Sequence, residues 1–264
     1  MGKMRTQVST CMAAALVLLA CGIARSGAAK AELAAAWTFD EGAGQDARDG
    51  TGNGYDGAVS GAKWVSGKFG KALEFNGDGD HVLVSHAEAL NLEKVSVAAW
   101  VFPTAWNPDL NAIAQKWEDG TNRRQYQLTI YQEKTWWYVS DAGDNWPRTD
   151  ATTTIINLNE WTHLVGTYDG ATMRAYVNGV LDEEKPQAVG LFTSDVDVII
   201  GGYGPTTPVV YNQNRHFAGV IDEVYFYDDA LTEAEIGALM DAPALAVSAR
   251  GRLPVVWSDL KTGR

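Results

Sequence analysis

The stretch Glu160–Glu184, EWTHLVGTYDGATMRAYVNGVLDEE, constrains the fold more than any other part of the chain. Asp169-Gly170 and Asn178-Gly179 interrupt three runs of strand length. Asn, Asp and Gly tolerate positive φ, so both pairs favour the tight type I′ turn that joins antiparallel strands. The spacing predicts a three-stranded meander over 161–185. Alternation recurs at Val95–Val101 and Gln125–Tyr131, and helical periodicity is nearly absent before the C-terminal region. Strands at this spacing predict an all-β chain built as a two-sheet antiparallel sandwich or jelly roll. One short helix is expected near the end. Thr232-Glu233-Ala234-Glu235 is a capping box, followed by an apolar stripe of Ile236, Leu239 and Met240.

The first 31 residues have the layout of an export signal. Lys3 and Arg5 precede an apolar run, Cys11–Ala20, that is too short to span a bilayer. Leu18-Leu19-Ala20-Cys21-Gly22 resembles a lipobox with Cys21 as a lipid anchor, whereas Ala29-Lys30-Ala31 resembles an ordinary cleavage site. The expected product is secreted or held on the envelope, and Cys21 is its expected membrane attachment. Both cysteines, Cys11 and Cys21, fall in this segment, so the remaining domain is expected to be disulfide-free. That domain is expected over 32–243, and 244–264 reads as a disordered tail.

Without Lys3, Arg5, Arg25 and Lys30, the 21 basic residues fall to 17 against 33 acids, a net charge of −16. Such a surface repels phosphate backbones, which argues against nucleic acid as a partner. Divalent cations and neutral sugars remain open.

Six of the acids lie in Phe217–Ile236, FAGVIDEVYFYDDALTEAEI. With Val220–Tyr227 as a regular strand, Val220, Asp222, Val224 and Phe226 share the more core-like face, and Glu223 lies on the outer one. Asp228 and Asp229 fall in a turn, while Glu233 and Glu235 start the helix, where negative charge suits the dipole. Asp222 is then the acid that needs a partner, because an unpaired buried carboxylate is costly.

Five segments carry a resemblance: 37–59 (WTFDEGAGQDARDGTGNGYDGAV), 70–84 (GKALEFNGDGDHVLV), 95–103 (VSVAAWVFP), 160–181 and 219–236. In order and in kind they resemble laminin-G-like members of the concanavalin A-like lectin/glucanase superfamily. The resemblance implies a jelly roll, a structural calcium ion in many members, and glycan binding in many. It also implies that Trp37, Trp100 and Trp161 are packing residues. A calcium ion would give Asp222 its partner. Asn76-Gly77-Asp78-Gly79-Asp80 has alternating oxygen donors but lacks the Gly and the closing Glu of an EF-hand. Asp40, Asp78, Asp80 and Asp222 are therefore the expected ligands of one structural Ca²⁺. The alternative is that Asp222 accepts backbone amides and 76–80 is a Gly-rich turn. A pentraxin-like calcium site is not expected, because 202–217 holds no acid.

The Glu-x-Asp-x-x-Glu run of the related glucanases is missing. Asp195-Val196-Asp197 gives one pair without a third acid, and His81, His86, His163 and His216 lack zinc spacing. No enzymatic activity is expected. Five of the ten tryptophans, Trp106, Trp117, Trp136, Trp137 and Trp146, crowd into 103–150. Trp136 and Trp137 are adjacent, so one of them must face away from the core. Sugar rings stack their C–H faces on aromatics, and flanking amides and charges bind the hydroxyls. The expected glycan cleft is lined by Trp106, Arg124, Trp137, Asn145 and Trp146. The expected function is extracellular carbohydrate binding or adhesion. A protein-binding or structural surface module is the second reading, and a divergent glycoside hydrolase the third.

Overall fold

A computed structural model describes residues 30–118, 123–141, 147–149, 152–188, 190–203 and 215–241. Residues 1–29, with Cys11 and Cys21, the residues from 242 on, and Asn145 and Trp146 lie outside the described residues. The strands in order are β1 (Leu33–Trp37), β2 (Asp46–Ala47), β3 (Gly57–Ser60), β4 (Lys63–Ser66), β5 (Lys71–Asn76), β6 (His81–Val84), β7 (Val95–Ala105) and β8 (Asn111–Glu118). They continue with β9 (Arg123–Tyr131), β10 (Lys134–Val139), β11 (Thr162–Tyr168), β12 (Thr172–Val177), β13 (Val180–Pro186), β14 (Val198–Ile200) and β15 (Ala218–Tyr227). One helix, α1 (Glu233–Asp241), follows. No described helix is long and apolar enough to cross a membrane.

The strands form two antiparallel sheets. One runs β13-β12-β11-β7-β15-β5-β4, with β1 also paired to β15; the other runs β10-β9-β8-β14-β6-β3-β2. The jelly-roll sandwich read from the sequence is the observed architecture. The predicted meander is β11-β12-β13. At its second turn Asn178 and Gly179 have φ of 50° and 77°, as a type I′ turn requires. The first turn differs from expectation. Only Gly170 has positive φ there, and the Asp169 carboxylate accepts the amides of Ala171 (2.8 Å) and Thr172 (2.7 Å). A side chain closes that turn in place of a left-handed Asp.

The inner faces of both sheets meet in one core that includes Trp37, Phe75, Val97, Leu128, Ile130, Trp137, Leu164 and Phe226. A second apolar layer lies on the far side of the first sheet. There Ile236 and Leu239 of α1 cover Ala36, Ala98, Val165 and Tyr225. Each such buried aliphatic side chain contributes about 1.5–3 kcal/mol. The capping box forms as read: the Thr232 hydroxyl accepts the Glu235 amide (3.3 Å), and the Glu235 carboxylate accepts the Thr232 amide (2.9 Å).

Candidate functional site: an acidic fork and an aromatic groove

β15 changes neighbours along one edge. Its residues 218–221 pair with β5, and 224–227 pair with β1. Asp222 and Glu223 sit in the fork between those two partners. On the other edge the register to β7 shifts between Asp222 and Tyr225, and Glu223 has a φ of 55°. This β-bulge inserts a residue and reverses the strand's phase. Ile221 and Val224 therefore both face the core, while Asp222 pairs with Trp100. The predicted common face of Val220, Asp222, Val224 and Phe226 does not exist. Glu223, expected on the outer face, is 1% exposed, and Asp222 is fully buried.

The fork is lined by the segment before β5. Asp222 Oδ2 accepts the Phe69 amide (3.0 Å), and Asp40 Oδ1 accepts the Lys71 amide (2.9 Å). Asp222 Oδ1 and both Glu223 carboxylate oxygens are buried without a hydrogen-bond partner. Burial pushes the Asp222 carboxyl up to about 7, against the pull of the backbone amides it accepts. Burial and the adjacent Asp222 charge push Glu223 up to about 9.

Asp78 and Asp80 lie elsewhere. Their loop follows Asn76, which pairs with Ala218, four residues along β15 from Asp222, a separation of about 13 Å at strand rise. There Asp80 Oδ2 accepts the Asn76 amide (2.9 Å), and Asn76 Oδ1 accepts the Asp78 amide (2.7 Å). The loop holds its own turn. The four aspartates read as one calcium set are thus divided between two ends of β15. Among the described residues no three His, Cys, Asp or Glu side chains gather as a metal set. The oxygen chemistry of the fork suits Ca²⁺, but a calcium shell takes six to eight oxygens. Asp40 and Asp222 each already give one to a backbone amide. As folded, the fork buries two carboxyls whose pKa values are raised by burial, which favours their protonated forms.

Other acids are held individually. Asp195 pairs with Arg123 (2.8 Å), Asp197 accepts the His86 amide (2.8 Å), and Asp182 accepts the Thr153 and Thr154 amides (both 2.9 Å). His163 is 1% exposed beside Trp100, and burial lowers it to about 4.

The groove lies on the outer face of the second sheet. β10 alternates: Trp137 and Val139 enter the core, while Trp136 and Tyr138 face out into a depression of about 340 Å³. Trp137 takes the inner position because Gly166 on β11 leaves room for its indole, which a Cβ there would strike. Trp136 and Tyr138 stack with centroids 6.1 Å apart and planes 20° from parallel. Trp117 of β8 meets Tyr138 edge-on at 5.8 Å, and Tyr131 of β9 meets Trp136 at 5.7 Å. The base is sealed by hydrogen bonds. Gln127 Nε2 donates to the Tyr203 hydroxyl (2.7 Å) and to Gln115, whose amide donates to the Gly202 carbonyl (2.8 Å). Burial pushes the Tyr138 phenol up to about 12, although Arg148 and Arg215 pull it down.

Three arginines complete the rim. Arg148 lies over Trp136 (4.7 Å) and Tyr138 (5.9 Å), Arg124 over Trp117 (5.6 Å), and Arg215 over Tyr203 (5.7 Å). Asp109 bonds Arg215 at 2.7 Å. Of the residues expected to line a cleft, Arg124 is here. Trp137 is in the core, and Trp106 packs, half-buried, against that same core. Sequence reasoning missed Trp136, Tyr138, Arg148 and Arg215. The Trp136-Trp137 adjacency carried half of the signal, but the sequence does not contain the parity that chooses between them.

The comparisons bear on this fold. None of the curated proteins matches the chain. Among solved structures, domain 4 of AbnA, an extracellular GH43 arabinanase from Geobacillus stearothermophilus solved with arabinotriose, is similar at 21% identity with a TM-score of 0.63. That match covers 80% of this chain and 99% of the domain. The binding domain of Paraclostridial Mosquitocidal Protein 1 is similar at 16% identity and a TM-score of 0.62, over 80% of this chain and 52% of its own. A Trypanosoma rangeli sialidase mutant displaying trans-sialidase activity is similar at 17% identity and a TM-score of 0.59, over 79% of this chain and 32% of its own. At such identities the likeness is one of fold. The Laminin_G_3 description matches residues 76–237, more than half of the chain, and the chain belongs to that family of the concanavalin A-like lectin/glucanases superfamily.

Proposed function

We propose that this protein is an exported, non-catalytic carbohydrate-binding module whose ligand lies in the groove of β8, β9 and β10. The observation that carries the reading is the row of Trp117, Tyr138, Trp136 and Tyr131, set in one depression with Gln127, Asp109 and three arginines. An apolar floor with convergent polar groups is how proteins hold sugars. The arabinanase domain, solved with a bound trisaccharide, supports the reading by its nearly complete overlap with this fold. Hydrolysis by the usual retaining or inverting route needs two carboxyl groups facing the glycosidic bond. Among the described groove residues Asp109 alone carries one, and it bonds Arg215. Export rests on the N-terminal segment, with Cys21 as the proposed point of lipid attachment.

Trp, Tyr and Arg also dominate protein–protein hot spots, so a protein ligand at the same groove is the second reading. A glycan array with the wild type and Trp136→Ala separates the two. Binding of at least one glycan by the wild type, lost in the variant, is the expected result. Silence on every glycan would refute the carbohydrate reading.

A further inference from the structure

Two glutamines on adjacent strands meet beneath the groove. Gln115 of β8 and Gln127 of β9 are register partners, and Tyr138 of β10 is the partner of Gln127 on its other side. Both glutamines are buried. Gln115 Nε2 donates to the Gly202 carbonyl at 2.8 Å. Gln127 Nε2 donates to Gln115 Oε1 and to the Tyr203 hydroxyl, the latter at 2.7 Å.

The direction of this relay is fixed at its Gly202 end. A backbone carbonyl can only accept, so the Gln115 amide turns its nitrogen there and its oxygen toward Gln127. Gln127 must answer with its nitrogen, because two amide oxygens would repel. Both hydrogens of that nitrogen are then used, one on Gln115 and one on Tyr203. Gln127 Oε1 accepts no hydrogen bond from the described residues, and Gln127 lines the depression. The hydroxyl of Thr129, two residues further along β9, is spent on the Asn111 carbonyl at 3.0 Å. What this part of the floor offers a ligand is one carbonyl oxygen in a set orientation.

From this we infer that Gln127 is a specificity-determining residue of the groove, and that it accepts one free hydroxyl of a neutral glycan. The inference rests on the carbohydrate-binding reading above. Aromatic rings hold sugars by their C–H faces and say little about the hydroxyl pattern. A lone, fixed acceptor adds a choice. A ligand that covers the groove shuts Gln127 Oε1 off from solvent, and the oxygen is orphaned unless the ligand donates to it. A hydroxyl donates. An ether, an ester, an ionised carboxylate or a sulfate at that position brings only acceptors and is repelled. The class selected is a neutral glycan whose contact hydroxyl is unsubstituted, and forms O-methylated or O-acetylated at that hydroxyl are rejected. Gln115 is a positioning residue: it keeps the Gln127 amide from turning.

The test is calorimetry on the full chain with arabinotriose, xylotriose and cellotriose, then with the monodeoxy and mono-O-methyl derivatives of whichever binds. Loss of one particular hydroxyl is expected to weaken binding roughly tenfold in both series, because both leave the acceptor orphaned. In Gln127→Leu the acceptor is gone, and the parent and that deoxy derivative are expected to bind equally. Gln115→Met is expected to bind the matching O-methyl derivative more tightly than the wild type does, because the freed Gln127 amide can turn an N–H toward the ether oxygen. Misfolding cannot imitate such a gain, and its absence would remove the positioning role of Gln115. If a trisaccharide binds but no hydroxyl is coupled to Gln127, the specificity role is wrong and the carbohydrate function stands. If none of the three binds, the role of Gln127 falls by itself, and the glycan array decides the carbohydrate function separately.

Discussion

Gly166 of β11 faces the indole of Trp137 of β10 across the interior, so close that a methyl group on the glycine would run into the ring. This contact between the sheets settles which of two adjacent tryptophans is buried. Gly166→Ala is expected to destabilise the fold by about 1–3 kcal/mol, the usual range for overpacking. Trp137→Ala, which empties the same space, is expected to cost about 3–5 kcal/mol. Trp136→Ala is expected to cost less than about 1 kcal/mol and to remove ligand binding. Urea denaturation of the three variants checks the order; a Trp136 variant as unstable as the Trp137 one would contradict the assignment.

The Asp222–Glu223 pair makes a pH prediction whose sign is fixed. Both carboxyls are raised in the folded protein, to about 7 and about 9, above ordinary values of 3.8 and 4.5. The native state therefore holds more protons than the unfolded chain, and stability falls as pH rises from about 4 through 9. Glu223→Gln keeps the shape and removes the titration. Its melting temperature is expected to exceed the wild type's at pH 8 by at least about 2–4 °C, the shift that 1 kcal/mol gives a domain of this size. The two are expected to converge near pH 4. A wild type that gains stability between pH 5 and 9 relative to the variant would refute this account.

Calcium provides a separate check on the same fork. Asp80 accepts the Asn76 amide in its own turn, and Asp40 and Asp222 accept backbone amides. Melting curves in 1 mM calcium and in excess chelator are therefore expected to coincide at pH 7 within about 2 °C, less than 1 kcal/mol. A larger stabilisation by calcium, abolished by Asp222→Asn, would instead establish an ion in the fork.

Lys116 is fully buried near the end of β8, and its ammonium donates to the carbonyls of Ser194 (2.6 Å) and Val196 (2.9 Å). Burial, partly opposed by Glu88 and other acids, lowers it to about 8. Lys116→Met leaves those carbonyls without their donor and is expected to cost about 1–3 kcal/mol per orphaned group. The segment 192–197 then loses its tie to β8, so limited proteolysis is expected to cleave there first. Unchanged stability and cleavage would show that the clamp is dispensable.

The sequence by itself determined what short-range rules govern. Alternation set the strands, Asn178-Gly179 set a hairpin, and Thr232 with Glu235 set the helix start, because each depends on a few neighbouring residues. Tertiary structure decided what depends on phase and distance. The bulge at Glu223 reverses the face of every residue after it, which hid a buried acid from a period-two reading. Arg124, Arg148 and Arg215 come from three distant segments and meet only because strand register and loop return bring them to one face. The choice between Trp136 and Trp137 rests on a glycine about thirty residues further on, in the opposite sheet. A side chain's environment is set by what packs against it, and in an antiparallel sandwich that partner is seldom its neighbour in the chain.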